Sequence, residues 1–263
     1  MKLNMKKVLD IAKDEIGYLE KSKAAYSKNT NVINSKTDGA GLDNITKYGK
    51  EMHDIYPTVM DFPAPWCDAF VDWCFYKAYG ICNAKKLLGG NFDDYTVASA
   101  GLYQKKGRLN TKPKKGAQVF FTKNGLVSGC YHTGIVYKVD DTKFYTIEGN
   151  TSGGNEVVAN GGGVAKKSYS IAVYKGRVIF GYPPYDESKK EPVEETEEKS
   201  DVKYGIVNTV SSNLNVRKRP NGVVITSLPM GAKVEIKGKV NDWYLIKKDK
   251  VEGYVFSKYI KKI

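Results

Sequence analysis

The sequence predicts an α+β domain followed by a small all-β barrel. Apolar residues at helical spacing fill the N-terminal part, and alternating strand patterns follow Gly107. Helices followed by antiparallel strands are typical of an α+β fold. A second set of short strands with regular turns begins at Tyr204 and is typical of a small barrel. We therefore expect a first domain over 1–184, a flexible acidic linker over 185–203 and the barrel over 204–263.

The helical pattern identifies one central helix that begins near Cys67. Apolar residues recur at steps of three and four after this cysteine, which predicts a helix buried along one side. Pro63 and Pro65 disfavour helix in the residues before them, so the helix starts only after them. The polar stretch 21–46 is interpreted as a surface loop. Helices are predicted over 5–16, 44–55, 67–80, 84–88 and 96–106.

The strand pattern contains one clear hairpin. Residues 132–139 and 143–150 alternate, and Asp140 and Asp141 supply the turn between them. Residues 188–200 are highly charged and nearly free of apolar side chains, so they cannot bury enough surface to order themselves. Further strands are predicted within 113–121, over 173–180, and in the barrel over 205–210, 214–217, 223–227, 233–239, 243–247 and 253–256.

The net charge of +13 is unevenly distributed along the chain. Residues 1–184 carry +9, residues 185–203 carry −4 and residues 204–263 carry +8. Two basic bodies are attracted to a polyanionic surface, which nucleic acid, an anionic membrane or a cell wall with acidic polymers would each provide. No apolar run is long enough to span a bilayer.

The N-terminus and the cysteines bear on the cellular compartment. The basic residues 1–7 are followed by charged positions that interrupt any signal-peptide core, so we expect synthesis in the cytoplasm without a signal peptide. The four cysteines form no CxxC pair and no metal-ligand spacing, so we expect reduced thiols, no structural zinc and no cofactor.

Cys67 is a candidate nucleophile because a thiolate at a helix N-terminus is stabilised by free N–H groups and the macrodipole. The alternative, an inert buried cysteine, is equally consistent with this position alone. A catalytic thiol needs a base, and the chain has two histidines. His53 fits a solvated surface residue, whereas His132 enters the predicted hairpin.

The hairpin places His132 on the same face as Glu148 and Asn150 in two alternative registers. With a loop of 140–142, His132 faces Asn150; with a loop of 139–142, it lies diagonal to both partners. A carboxylate and an amide beside an imidazole can fix its tautomer and orientation. The alternative is three ordinary polar residues on the wet face of a hairpin.

Three ordered motifs carry a resemblance to a known family. The stretches WCDAFVDWC at 66–74, HTGIV at 132–136 and IEGNT at 147–151 resemble the CHAP (cysteine, histidine-dependent amidohydrolase/peptidase) family. The stretch EIGYLEK at 15–21 is similar to phage and prophage lysins of Firmicutes in particular. The resemblance covers about 5–184 and implies a papain-like fold with an antiparallel sheet.

The resemblance also implies roles for individual residues. Cys67 would be the nucleophile, His132 the general base, Glu148 the group that orients the imidazole, and Asn150 an assisting or polarising group. Trp66, beside the nucleophile, is a candidate substrate contact. The implied substrate is bacterial peptidoglycan, cut at the sugar–peptide amide or within the stem peptide or cross-bridge. Some members bind calcium through Asp-x-Asp-Gly before the cysteine; here 61–64 departs from that pattern, so no metal site is expected.

The C-terminal part resembles a bacterial SH3 domain, a module that commonly anchors hydrolases to cell walls. Trp243 and Tyr254 are candidate ligand contacts, although both fit a barrel core equally well. The matching stretches are 214–220, 228–234, 242–246 and 253–260.

These features together predict a modular wall hydrolase, an endolysin that acts on the wall after its release from the cytoplasm. Its expected partners are peptidoglycan and anionic wall polymers, and we expect a monomer with no nucleic-acid ligand. A non-catalytic wall-binding protein on a degenerate CHAP scaffold is the main alternative, but the presence of Cys67, His132 and Glu148 argues against it. A nucleic-acid binder would need a basic stacking face, which the sequence lacks. Acyl transfer by the same residues stays open.

Overall fold

The chain forms two compact units, over 1–188 and 189–263, and each is described by itself. In the part of the chain described below, no helix is long and apolar enough to cross a membrane. The predicted flexible linker lies almost wholly outside the described residues. The computed structural model describes residues 2–154, 156–186, 203–209, 212–218, 222–240, 243–249 and 251–263.

The helices of the first unit follow the predicted pattern, with one addition in the stretch interpreted as a loop. Within 21–46, Ser22 accepts a hydrogen bond from the backbone N–H of Ala25 and caps a short helix, and Thr30–Asn34 is a 3-10 turn. The surface-loop prediction was therefore wrong there. The described residues of this unit contain α1 Met5–Asp14, α2 Lys23–Lys28, α3 Lys47–Ile55, α4 Cys67–Leu88, α5 Thr96–Lys105 and α6 Ile171–Tyr174.

Helix α4 is the central element of this unit. Gly80 has φ 70° and ψ 173°, which lie outside the helical region, so a kink divides α4 into two helical segments, in line with the two predicted helices 67–80 and 84–88. The sequence predicts one buried side, but every residue over 67–75 is buried. The reason is that α4 packs against α1, α3, α5 and the sheet at once.

A single antiparallel sheet completes the first unit in the described residues. Its strand order is β1-β6-β2-β3-β4-β5, which confirms the predicted α+β class. One apolar core lies between the helices and this sheet, and a second core with many aromatic rings is built from β2 to β6. The strands are β1 Leu109–Asn110, β2 Gln118–Thr122, β3 Cys130–Val139, β4 Lys143–Thr151, β5 Gly163–Ser170 and β6 Val178–Gly181.

Two parts of the sheet differ from the prediction. The strand expected over 173–180 begins at Val178, because Ser170 caps the helical turn α6. Strand β5 was not predicted, since Lys167 occupies an inward position where an apolar residue would mark a strand. Its side chain is only 2% exposed.

Beside His132 the β3–β4 hairpin has one of the two predicted registers, and beyond Tyr137 its pairing follows neither. Ile135 pairs with Ile147 and Val136 with Thr146, which is the register that sets 132 opposite 150. Beyond a shift at Tyr137, Val139 pairs with Phe144. The bulge absorbs the extra residue of a longer turn, so the register beside His132 is retained.

The described residues of the second unit form an all-β structure, as predicted. Strand order is β13-β7-β10-β11-β12-β8-β9, and the unit has its own apolar core around Val216, Ile246 and Val255. The short β13 was not predicted. The strands are β7 Lys203–Val207, β8 Leu214–Arg217, β9 Val224–Leu228, β10 Lys233–Val240, β11 Trp243–Lys248, β12 Val251–Phe256 and β13 Ile260–Lys262, with a 3-10 turn at Ser257–Tyr259.

Candidate active site

Cys67 is the first residue of α4, as the proline pattern predicts. Its N-cap residue, Trp66, has extended φ and makes no side-chain capping hydrogen bond. The first-turn N–H groups of a helix have no intrahelical acceptor, so this helix start offers donors to a negatively charged group. The cysteine is 6% exposed, so it sits in a nearly closed site.

His132 and Glu148 form a buried ion-pairing contact across the β3–β4 hairpin. His132 Nε2 lies 2.9 Å from Glu148 Oε2, and both side chains are fully buried. Glu148 also accepts hydrogen bonds from the hydroxyls of Thr146 and Tyr169, the latter at 3.2 Å. Three donors on one carboxylate hold it in place, and it then fixes the imidazole. Because Nε2 donates to the carboxylate, Nδ1 of the neutral ring is an acceptor.

The imidazole of His132 favours its charged form. Burial alone lowers its pKa, but interactions with the Cys67 thiol and the Glu148 carboxylate outweigh burial and raise the pKa to about 9. Within the described residues, Nδ1 makes no hydrogen bond of normal geometry. The Cys67 sulfur therefore lies close enough to His132 to raise the pKa of the ring, although the two side chains form no aligned hydrogen bond. Hydrogen bonds of this kind are often poorly aligned in a free enzyme and tighten only when substrate binds.

Asn150 makes no side-chain hydrogen bond to His132, Glu148 or Cys67. Its side chain is fully buried, and neither Oδ1 nor Nδ2 has a hydrogen-bond partner in the part of the chain described. The residue has φ 53°, a left-handed conformation that asparagine tolerates. The regular alternation of side chains along β4 ends at Asn150. The structure brings together Cys67, His132 and Glu148. The role expected of Asn150 stays a prediction.

Two glycines that lie inside the motifs shape the site. A Cβ on Gly134 would meet Glu148 Cγ at 2.5 Å, so glycine leaves the space that the carboxylate occupies. A Cβ on Gly149 would meet Phe70 Cβ at 2.6 Å and the Trp66 ring at 2.9 Å. Glycine therefore lets the start of α4 pack directly on β4. Sequence reasoning assigned neither residue a role, although both stand beside motif residues.

Trp66 does not fit the predicted substrate contact. It is 1% exposed, and its Nε1 donates to the buried Glu20 Oε2 at 2.7 Å. Its ring stacks on Tyr48 with centroids 5.4 Å apart. A side chain enclosed in this way anchors the start of α4 and offers almost no surface to a substrate.

The remaining histidine and cysteines lie apart from the site chemistry. His53 is half-buried and its Nδ1 donates to Met60 O at 2.6 Å, so it is not the solvated residue that was expected. All four cysteines are free, and Cys82 is exposed. In the described residues, no group of three or more His, Cys, Asp or Glu side chains is arranged to hold a metal ion.

Two buried carboxyl groups follow Cys67 on α4. Asp68 Oδ1 accepts from Gln118 Nε2 at 3.0 Å, while Oδ2 has no partner within the described residues. Burial raises the pKa of Asp68 to about 7. Burial together with the charge of Asp68 holds the pKa of Asp72 well above its usual range. The Asp68–Gln118 bond ties the start of α4 to β2.

The second unit holds a cleft that contains one of the two predicted ligand contacts. Trp243 lines this cleft, together with Phe256 and Tyr259. Tyr254 is half-buried and does not belong to the lining.

Comparisons with known proteins agree with both resemblances. Residues 59–150 match the model of the CHAP domain, and residues 212–261 match that of the bacterial SH3 domain. No curated protein matches the chain.

Two similar solved structures are crystal structures of Ly7917. One, described as the crystal structure of Ly7917, is 16% identical, with 98% of this chain and 97% of that chain covered and a TM-score of 0.38. The other, described as Ly7917 with the hydrolyzing product of MDP, is 15% identical, with 96% and 92% covered and a TM-score of 0.38. Likeness at this TM-score does not establish a shared fold.

Proposed function

Because the chain carries a CHAP domain and a bacterial SH3 domain, we propose that it hydrolyses amide bonds of bacterial peptidoglycan with Cys67 as nucleophile. The observation that supports this most strongly is the Glu148-bound imidazole of His132, which acts on the Cys67 thiol at a helix start. The presence of all three side chains in one buried site argues against a non-catalytic wall-binding protein. An imidazole whose pKa is raised by a neighbouring thiol and carboxylate at a helix start is typical of a functional site.

The first half of the reaction forms a thioester. The imidazolium of His132 stabilises negative charge on the Cys67 sulfur, which attacks the amide carbonyl and forms a C–S bond. Backbone N–H groups at the start of α4 stabilise the oxyanion of the tetrahedral intermediate. The C–N bond then breaks as His132 gives its proton to the leaving amine.

The second half restores the enzyme. Neutral His132 takes a proton from water, and the hydroxide attacks the thioester carbonyl. The C–S bond breaks, a carboxylic acid leaves, and the sulfur returns to its pair with the imidazolium. Glu148 keeps its contact with the ring and stabilises its positive charge.

The bond that is cut is either the muramoyl–L-alanine amide or an amide within the stem peptide or cross-bridge. The two products differ chemically, since the first cleavage frees a lactyl carboxylate on the sugar and the second creates new peptide ends. We propose that the protein is an endolysin-type enzyme released from the cytoplasm, on the basis of the likeness of its motifs to phage and prophage lysins of Firmicutes. The bacterial SH3 domain supports peptidoglycan as the binding partner of the second unit.

Digestion of purified walls tests this function. We expect new amino groups to appear with the wild-type chain, and mass spectrometry of the soluble muropeptides to identify the bond. His132→Ala should reduce the release of amino groups by at least about 10³-fold. The matched control is His53→Ala, which should keep activity within about twofold, since the ring of His53 bonds to Met60 O and packs against Phe62, not against His132 or Glu148, in the described residues. Full activity of a folded His132→Ala chain would disprove the mechanism.

A further inference from the structure

The second unit contains a cleft of about 420 Å³ that the hydrolytic mechanism does not use. We propose that this cleft binds a carboxylate-bearing fragment of the bacterial wall, with its flat ring or peptide plane on Trp243 and its carboxylate at Arg217. The proposal rests on the proposed function, because it names the wall chemistry that the second unit recognises. The cleft is lined by Thr209, Ser212, Asn213, Leu214, Asn215, Arg217, Trp243, Phe256 and Tyr259.

Aromatic rings form one wall of the cleft. Trp243 and Phe256 are paired across β11 and β12, and their ring centroids lie 5.3 Å apart in an edge-on contact. Tyr259 follows at 6.2 Å from Phe256 and is 40% exposed. The neighbouring pair, Tyr244 and Val255, is buried in the barrel core.

This alternation separates two sets of aromatic and apolar side chains on the same strands. Tyr244 and Val255 supply the packing that the barrel needs, so the half-buried Trp243 and Phe256 are not required to fill it. Rings left at the surface of a cleft offer stacking faces to a sugar ring or a peptide plane.

The charge of the cleft selects the ligand. The Arg217 guanidinium lies 6.0 Å from the Trp243 ring centre, and its Nη1 donates to Gly222 O at 2.7 Å, which fixes its position. Among the described residues that line the cleft, none is acidic. A guanidinium held beside an aromatic face matches a carboxylate next to a flat group. The net charge of +8 over 204–263 favours the same anionic ligands.

Polar groups also line the cleft. Thr209 is 8% exposed, and its Oγ1 has no hydrogen-bond partner in the described part of the chain. Asn213 and Asn215 add exposed amide groups. Such groups suit the N-acetyl, hydroxyl and peptide groups of a wall fragment. The cleft can therefore bind the uncharged part of the fragment as well as its carboxylate.

Binding to purified insoluble walls tests the cleft directly. The full chain carrying Cys67→Ala is used, so that the walls are not cut during sedimentation. We expect Trp243→Ala and Arg217→Gln each to weaken binding at least about tenfold, as losses of central contacts do. Arg217→Lys should restore part of the affinity because it keeps the charge. Circular dichroism of each variant confirms that the barrel is folded.

A matched control separates the cleft from general electrostatics. Lys247→Gln removes one positive charge from an exposed position of β11 outside the cleft, and it should leave binding within about twofold. If folded Trp243→Ala and Arg217→Gln chains bind walls as well as the parent, the cleft proposal is overturned. Equal losses in Arg217→Gln and Lys247→Gln would overturn it as well.

Soluble competitors distinguish the two sources of the carboxylate. N-acetylmuramic acid carries a lactyl carboxylate that N-acetylglucosamine lacks, and a stem peptide with a free C-terminus can be compared with its amide. We expect one acid to displace the chain from walls and its neutral counterpart to fail. The role of Arg217 would be contradicted if a neutral compound competed as strongly as its acid. It would also be contradicted if neither acid competed.

Failure of this proposal is distinguishable from failure of the proposed function. With Cys67 intact, turnover of soluble muropeptides by the wild-type chain measures hydrolysis separately from wall binding. Weak wall binding of a folded Trp243→Ala chain in the Cys67→Ala background supports the cleft whatever that turnover is. Absence of any turnover in the wild type would refute the hydrolase, whereas the Cys67→Ala binding experiment would still decide the cleft.

Discussion

His132 Nε2 and Tyr169 OH both reach the same oxygen of Glu148, at 2.9 Å and 3.2 Å respectively. The carboxylate thus orients the imidazole, and the tyrosine orients the carboxylate. Burial, followed by the charge of Glu148, holds the pKa of Tyr169 well above its usual range, so its hydroxyl remains a donor. This chain of contacts connects the aromatic core of the sheet to the imidazole of His132.

Glu148→Gln should lower kcat by about 10²-fold or more, because a neutral amide cannot stabilise the imidazolium. Tyr169→Phe keeps the ring and removes one donor, so we expect a loss of about threefold to tenfold. Rates of amino-group release from walls measure both. Equal rates in Glu148→Gln and the wild type would show that the carboxylate has no catalytic role.

The pH dependence of activity should report the raised pKa of His132. A group whose folded pKa is raised to about 9 is protonated below that pH, so the imidazolium needed to protonate the leaving amine is lost above it. We expect kcat/KM to fall on a basic limb near pH 9. The same sign holds for stability, because the ion pair contributes fully below the unfolded pKa and is lost as pH rises through 9. In Glu148→Gln, the basic limb should move to lower pH.

Gly149→Ala should destabilise the first unit by about 1–3 kcal/mol and reduce activity further than stability alone explains. The reason is that a Cβ there meets Phe70 at 2.6 Å and pushes the start of α4 from β4. Gly153→Ala is the matched control, because nothing lies within 4 Å of its Cβ and it should behave as wild type. Denaturant unfolding and wall digestion measure the two effects. A fully active, fully stable Gly149→Ala chain would contradict the packing described.

Asp68→Asn should make the first unit more stable at pH 8 by about 1–3 kcal/mol, with little effect at pH 4. An acid whose folded pKa is raised to about 7 favours folding below its unfolded pKa, and that contribution is lost as pH rises through 7. The asparagine can still accept from Gln118. Because the charges of Asp68 and Asp72 influence each other, the change in stability near pH 7 reports the titration of both carboxyl groups together.

Tryptophan fluorescence can isolate this effect. In a Trp243→Phe background, the remaining tryptophans, Trp66 and Trp73, lie in the first unit and report only its unfolding. A difference between Asp68→Asn and the parent that is constant from pH 4 to 8 would refute the role of the buried carboxyl.

Local sequence rules predicted much of the fold. The prolines before Cys67 marked the start of α4, and alternation marked β3 and β4, because these features act within a few residues. The helix pattern failed to show that 67–75 is buried on all sides, since burial depends on neighbours that are distant in sequence. Strand β5 escaped prediction because the buried Lys167 breaks its apolar pattern; its Nζ donates to Thr151 Oγ1 and Ser152 O instead.

The candidate site was predictable only in part. His132 and Glu148 follow from hairpin alternation, and their contact is present. The support from Tyr169 lies on the unpredicted β5, and the space left by Gly134 and Gly149 depends on the packing of α4 and Glu148. Asn150 departs from the alternation, because its backbone is left-handed. Nothing in the sequence indicates that the Trp66 side chain is enclosed rather than open to a substrate, because its hydrogen-bond partner Glu20 is distant in the chain.

The central claim is that Cys67 is the nucleophile, and one comparison tests it most directly. Amino-group release from purified walls is measured for the wild type, Cys67→Ser and Cys82→Ser, where Cys82 is a free, exposed thiol on the same helix. We predict that Cys67→Ser loses at least about 10³-fold of the rate while Cys82→Ser keeps it within about twofold. A folded Cys67→Ser chain that digests walls at the wild-type rate would contradict the account.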